Sequence, residues 1–308
     1  RRIAPSAGLD NPTLNVGKMR NQGFELELNW NDKISDFEYN VGFNISTIAN
    51  KVVALANEDQ TIYGVGLKYG SEHFPTQTKV GKPIGAFYLY QADGIFQSLE
   101  EVQAHKNSKG ELLQPNAQPG DVRFKDMNGD GVIDEDDKTY SGTGIAKVEA
   151  NLNLGASYKG FDFSAVIGSA FGKKLYNGIR YYYEGMNSGS NFLKTTLNAW
   201  TPTNTKTDIP RAVFGDPNQN TRESTRFLEN GDFVRLRQVQ LGYTLPKALS
   251  KQIYCESIRF YVSAENVFTI TGYSGANPEF SQGVLNSGVD RFTYPFSRSY
   301  TVGAQVSF

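Results

Sequence analysis

From Lys147 to Tyr158 the chain alternates strictly. Val148, Ala150, Leu152, Leu154, Ala156 and Tyr158 fall on one side, and Lys147, Glu149, Asn151, Asn153 and Ser157 on the other. This is the period-two pattern of a strand with one apolar and one wet face. After Lys159-Gly160 it resumes with Phe161, Phe163, Ala165 and Ile167 against Asp162 and Ser164, which predicts a hairpin. Five further segments alternate in the same way: Phe24 to Trp30, Phe37 to Ile48, Phe233 to Leu245, Ile258 to Ile270 and Arg298 to Phe308. Most approach or exceed the roughly 9–11 residues that a tilted strand needs to cross a bilayer, whereas soluble strands average about 5–6.

The connections sort by length. Those at 31–36, 159–160 and 246–256 are short; those at 49–146, 173–232 and 271–297 are long and rich in Gly, Asn, Ser and Pro. Outer-membrane barrels have short periplasmic turns and long outer loops, so with Phe308 in the periplasm every short connection falls inside and every long one outside. The expected fold is therefore all-β, a transmembrane antiparallel β-barrel in which residues 1–308 form one unit. Ile84 to Phe96 has strand composition but would break this parity as a lone span, and is expected to form an extracellular hairpin. Bacterial barrels are even-numbered, so a seven-strand total implies that this is a portion of a larger barrel. The opening Arg1-Arg2-Ile3, with neither Met nor an apolar signal core, predicts that any export signal lies upstream.

Composition narrows the classes. A net charge of -1 leaves no basic surface for nucleic acid. Mean hydropathy is -0.45 and no stretch approaches the roughly 18 apolar residues of a membrane helix; a barrel stays open, because only alternate side chains face lipid. Cys255 is the only cysteine, so no intramolecular disulfide can form.

The sharpest local chemistry is Asp126-Met-Asn128-Gly-Asp130-Gly131-Val132-Ile-Asp134-Glu-Asp-Asp137. It has the spacing of a Ca2+ loop, with oxygen side chains at positions 1, 3, 5 and 9, Gly at 6 and the Val132 carbonyl at 7. Asp137 replaces the usual Glu at position 12, a shorter arm for bidentate ligation. An acidic turn without metal fits the same residues; in either case the loop would stiffen a long connection. No G-x-S-x-G, P-loop or H-E-x-x-H occurs, and His73 and His105 have no ligand neighbours at metal spacing, so an enzyme is not expected. Aromatic residues in the long connections, Tyr181, Tyr182, Tyr183, Trp200 and Tyr273, are candidates for substrate contact, with packing between loops as the alternative.

Several stretches together resemble the C-terminal third of SusC/RagA-family TonB-dependent outer-membrane transporters of Bacteroidetes. They are Asn21-Gln-Gly-Phe-Glu-Leu-Glu-Leu28, Gly85 to Phe96 with Asp93-Gly-Ile-Phe96, Pro119-Gly-Asp121 and Phe227-Leu-Glu-Asn-Gly-Asp-Phe-Val-Arg-Leu-Arg237. Leu241-Gly-Tyr-Thr-Leu-Pro246, Ala264-Glu-Asn-Val-Phe268, Asn277-Pro-Glu279 and Tyr294-Pro to Phe308 complete the series. The resemblance implies a 22-stranded barrel with an N-terminal plug, driven through TonB, covered by a SusD-like surface lipoprotein, and importing oligosaccharide or peptide. Plug and TonB box are not among these residues, and Asn277 stands where the family leads one to expect Asp. Two other readings are kept: a soluble calcium-dependent carbohydrate-binding β-sandwich, suggested by the acidic loop and aromatics, and an autonomous small barrel.

Overall fold

The computed structural model describes residues 17–308 apart from 58, 70, 186–190 and 281; the Arg1-Arg2-Ile3 opening lies outside the described residues. Seven long strands appear where alternation predicts them: β1 Glu25–Ile34, β2 Phe37–Thr47, β3 Val148–Tyr158, β4 Phe161–Phe171, β5 Phe233–Thr244, β6 Ser257–Thr271 and β7 Ser299–Ser307. They form one antiparallel meander in sequence order. Register carries like onto like: Leu28 pairs with Phe43, Phe43 with Leu152 and Leu152 with Ile167. Farther along, Ile167 pairs with Leu236, Leu241 with Val262 and Val262 with Val302. A slip of one residue would turn a strand's whole apolar set to the other face, so the pattern fixes the pairing.

That apolar face is uncovered. Trp30 is 62% exposed, Val262 50% and Val302 84%, whereas the hydrophobic side chains buried to 0%, such as Phe87, Tyr176 and Phe227, all belong to the long connections. A β-sandwich needs a second sheet packed on this face; among the described residues there is none. Seven strands about 4.8 Å apart and about eleven residues long at ~3.3 Å each present an area on the order of 1,000 Å². Soluble monomers rarely expose more than a few hundred Å² of contiguous apolar surface. Tilted by about 45°, such strands rise about 25 Å, the height of the apolar band of an outer-membrane barrel.

The turns are close to expectation. Lys159 and Gly160 both have positive φ (46° and 88°), as a two-residue hairpin turn of type I′ requires. β1 runs on to Ile34, so the connection expected at 31–36 shrinks to residues 35–36. Its polar end is held by cross-strand partners, Lys33 with Glu38 at 2.5 Å and Tyr39 with Asp32 at 3.3 Å, which alternation of hydrophobicity alone does not register. The same hairpin also continues upward, where Lys18–Gln22 pairs with Ala49–Ala54. Gly23 sits at that junction because a Cβ there would lie 1.7 Å from the Thr47 carbonyl oxygen.

Residues 84–96 do not form a hairpin with themselves. Ala86–Leu89 joins a four-stranded sheet with Thr139–Thr143, Thr76–Thr78 and Ile62–Tyr63, and Ala92–Ile95 pairs with Val122–Phe124. Between them the Tyr90 backbone is bonded through its N–H to Glu223 O and through its carbonyl to Thr225 N. This contact with the second long connection hands the chain from one small sheet to the other.

In a meander the connections β2 to β3, β4 to β5 and β6 to β7 all leave from one end of the sheet, and these are the three long ones. They pack into a shared body. One core cluster holds Leu67, Phe87 and Leu89 from the first, Tyr176, Tyr181 and Phe227 from the second and Val289 from the third. Lys174–Asn177 is the shared strand, antiparallel to Leu228–Asn230 and parallel to Val289–Asp290.

Candidate functional site

Opposite the apolar face each strand carries small and polar residues. Across three strands they line up as Glu27, Asn44 and Asn151, then Asn29, Gly42 and Asn153, then Asn31, Asn40 and Gly155. At the short-turn end this face holds an open depression of about 860 Å³, bordered by Lys33, Asn40, Asn153, Ser157 and Asp162. The polar residues give it hydrogen-bonding groups of both senses, beside the apolar Leu154, Ala156, Phe163 and Val166.

At the long-connection end the polar face is roofed. A bulge in β5 and β6 places Leu236 opposite Phe268 but Gln238 opposite Glu265, and Asn266 in the bulge has a φ of 52°, which Asn tolerates better than most residues. Arg235 and Arg237 consequently both reach the 271–297 connection. Arg235 donates to Glu279 Oε2 (3.0 Å), Asn277 Oδ1 (2.6 Å) and Thr269 Oγ1 (2.9 Å), and Arg237 to Glu279 Oε1 (2.9 Å). Gly168 lies beneath Arg237, where a Cβ would stand 2.2 Å from the Arg237 Nε and push that side chain aside. Lys173 Nζ donates to the Pro278 carbonyl at 2.7 Å, and burial lowers its pKa from the ordinary lysine value. Arg235, Arg237 and Glu279 were visible in the sequence only as parts of the family motifs; two arginines at i and i+2 on one strand were the signal available.

The packed connections contain a second polar cluster. Arg180 donates to Glu184 (3.0 Å), Asp208 (2.9 Å) and Glu229 (3.3 Å), while Arg226 donates to Glu184 (2.9 Å). Between the first and second connections Lys138 joins Glu223 and Glu135, and Arg211 joins the fully buried Asp121 at 2.8 Å. Such pairs fix how the connections dock more than they add stability, because removing each charge from water offsets much of the attraction.

The five aromatic candidates separate. Tyr181 (2% exposed), Trp200 and Tyr273 are buried within the loop body. Tyr181 packs on Tyr176 and Phe227 and shares a 2.9 Å hydrogen bond with His73 Nδ1. Trp200 Nε1 donates to Gln97 Oε1 at 2.9 Å, and Tyr273 donates to Asp290 Oδ2 at 2.7 Å. Burial, and then that bond to a carboxylate, hold the Tyr273 phenol well above its usual pKa, so it remains a donor. Tyr182 and Tyr183 keep partial exposure and pack on Phe292 and on each other. The core members Tyr176 and Phe227, which surround Tyr181, were not singled out in the sequence.

The six residues of the acidic loop also lie together, but they are turned toward their own backbone. Asp126 accepts from the N–H groups of Gly129 and Gly131, Asn128 from Asp130, Asp130 from Val132, and Asp134 from Asp136. Asp137 is fully buried and accepts from Met127, Asn128 and Asp134. Among the described residues no group of three or more His, Cys, Asp or Glu is gathered so as to hold a metal ion.

No family model matches the chain. It is 29% identical over 321 residues to TonB-dependent receptor P3 of Formosa agariphila, covering 100% of this chain and 30% of that protein. To TonB-dependent receptor SusC of Bacteroides thetaiotaomicron it is 26% identical over 306 residues, covering 96% of this chain and 27% of that protein. Among solved structures, the RagAB peptide transporter superposes with a TM-score of 0.74 at 26% identity, covering 99% of this chain and 31% of its counterpart. The chain thus spans about 30% of the length of the curated relatives it matches, and those relatives are named as TonB-dependent receptors. The likeness runs the whole length of the sequence, the seven-stranded meander is its structural basis, and the chain is therefore a stretch of outer-membrane β-barrel similar to the SusC/RagA-family TonB-dependent transporters.

Proposed function

We propose that this chain forms part of the wall and outer loops of a TonB-dependent transporter that imports a nutrient oligomer, oligosaccharide or peptide, across the outer membrane beneath a SusD-like lipoprotein. The observation that carries the reading is the two-sided sheet: one uncovered apolar face on the order of 1,000 Å² backed by a polar one. The relatives' names support the coupling to TonB, and RagAB supports a peptide among the possible cargoes. In this arrangement the short turns and Phe308 face the periplasm and the packed connections face outward, toward lipoprotein and cargo, with Tyr182 and Tyr183 the more accessible of the candidate aromatics. Spin labels test it directly in the full-length protein in lipid. Labels at Leu152 and Val302 are expected to collide with lipid-dissolved oxygen and be hidden from a water-borne quencher, and a label at Asn153 to show the reverse. Water-borne quenching at Leu152 and Val302 would remove the reading.

The proposal includes calcium at Asp126, Asn128, Asp130, Val132, Asp134 and Asp137, supported by the oxygen spacing of the loop alone. Binding to the folded state adds about 2.7 kcal/mol at roughly a hundredfold excess over the dissociation constant. The long connections should then resist proteolysis better in calcium than in EGTA, and Asp130→Ala should abolish the difference. Equal digestion in the two buffers would count as an acidic turn without metal.

A further inference from the structure

The hairpin of β1 and β2 does not end at the top of the apolar band. Its register runs on without a slip from Glu25 opposite Ser46, through Gln22 opposite Ala49, to Met19 opposite Val52, so the alternation of faces carries through into the Lys18–Gln22 extension. The inner side of the extension is covered: Val52 is 3% exposed, Asn50 Nδ2 donates to Asn21 Oδ1 at 2.6 Å, and the Ile84 N–H donates to Asn50 Oδ1 at 2.8 Å. The outer side continues the row of Trp30, Leu28, Leu26 and Phe24. After Gln22 its character changes, with Arg20 directly opposite Lys51 and Lys18 next along the same side.

Three cations on one face call for a counter-charge. All three are exposed, and among the described residues none forms an ion pair with a carboxylate. Like charges directly opposite each other on neighbouring strands destabilise the pairing, so Arg20 and Lys51 work against their hairpin unless an anion sits between them. Position narrows the anion. Arg20 lies four residues above Phe24, about 13 Å along a strand, or about 9 Å of height at a tilt of about 45°. The polar headgroup layer adds roughly 5–8 Å to each side of the hydrocarbon, within reach of a long cationic side chain at that height.

We propose that Lys18, Arg20 and Lys51 form a binding site for the phosphate groups of the outer-leaflet glycolipid, lipid A, on the lipid-facing side of the wall. A phosphate between Arg20 and Lys51 accepts hydrogen bonds from both and removes their repulsion, the guanidinium supplying paired N–H donors and the ammonium a point charge. Lys18 adds a third positive charge at the upper edge. The acyl chains of the lipid then lie along Phe24, Leu26 and Leu28, which are exposed on the same row. The site rests on the importer reading, which turns the long-connection end outward, and adds a specific lipid to it.

The test is titration of the full-length transporter, purified in detergent, with lipid A carrying its phosphates, with the same lipid after their removal, and with inorganic phosphate; bound lipid is read by native mass spectrometry. The wild type is expected to hold phosphorylated lipid A at least tenfold more tightly than the dephosphorylated form, with no displacement by millimolar inorganic phosphate. Near an anionic surface each cation is worth a factor of about five, so combining Lys18→Ala, Arg20→Ala and Lys51→Ala should weaken retention about tenfold or more. The melting temperature of that variant should not fall, since all three side chains are exposed. Lys109→Ala, at an exposed cation of the first connection, should change nothing. Equal retention by wild type and the triple variant, equal retention of the two lipids, or displacement by inorganic phosphate overturns the site. So does loss of a co-purifying lipoprotein from the triple variant with lipid retention intact, which would assign the cations to a protein surface. The importer reading is judged separately by the spin labels at Leu152 and Val302, so lipid-facing labels without lipid A retention would sink this site alone.

Discussion

Leu152→Lys is expected to cripple insertion of the barrel while Asn153→Lys, one residue along, leaves it nearly intact. Leu152 lies at the middle of β3, flanked by Phe43 on one side and Ile167 on the other, in the centre of the uncovered apolar face. A lysine at the lipid midplane of a barrel costs about 2–4 kcal/mol, a factor of roughly thirty to several hundred in the folded population. Asn153 pairs with Gly42 and Val166 on the opposite face, where the neighbouring rows are mostly polar and a lysine remains hydrated. Folding of the full-length protein into lipid vesicles, followed by the heat-modifiable shift on gels, separates the two. Equal loss from both substitutions would mean that the two faces do not meet different solvents, and the transporter reading would fall with it. The same comparison at Val302 and Thr301 in β7 extends the test to the other side of the sheet, since Val302 pairs with Val262 and Thr301 with Ser263.

The contrast between faces was legible in the sequence because strand geometry imposes a strict period of two, and each strand reports its own orientation without reference to any other. The meander followed from the lengths of the connections. The packed body above the sheet was not legible, for a physical reason: its core joins Leu67, Tyr176 and Val289, residues more than a hundred positions apart, and nothing local marks them as neighbours. Aromatic runs such as Tyr181-Tyr182-Tyr183 could be flagged as unusual, but whether each ring turns inward depends on partners elsewhere, and Tyr181 finds His73, Tyr176 and Phe227 there. The segment 84–96 misleads for the same reason. Its composition announces strands correctly, yet Tyr90 is claimed by the 223–225 backbone, so the two halves pair with different sheets. The roof over the polar face hid behind a bulge: Asn266 with positive φ shifts the register that lets Arg235 and Arg237 reach Glu279 together.

Phe227→Ala should separate the stability of the loops from that of the wall. Phe227 is fully buried where the long connections meet, with ring centroids 5.8 Å from Tyr176 and 5.6 Å from Tyr181 and the Arg226 guanidinium 4.7 Å above its own ring. Truncating a buried phenylalanine to alanine costs about 3–5 kcal/mol through lost burial and the cavity left behind. That is comparable to the whole stability of a modest domain, about 5–15 kcal/mol. The loss falls on the connections, because Phe227 belongs to their cluster, whereas β3 to β6 are held by their own ladder and by whatever covers their apolar face. Limited proteolysis of intact cells carrying the full-length variant should therefore nick 49–146 and 173–232 at least tenfold faster than in wild type, while the barrel still shows heat-modifiable mobility. Leu197→Ala, at a side chain 85% exposed in the same connection, should change neither readout. If Phe227→Ala left the loops as resistant as wild type, the three connections would have to be stabilised one by one rather than through a common core, and the cavities bounded by them could not be treated as preformed.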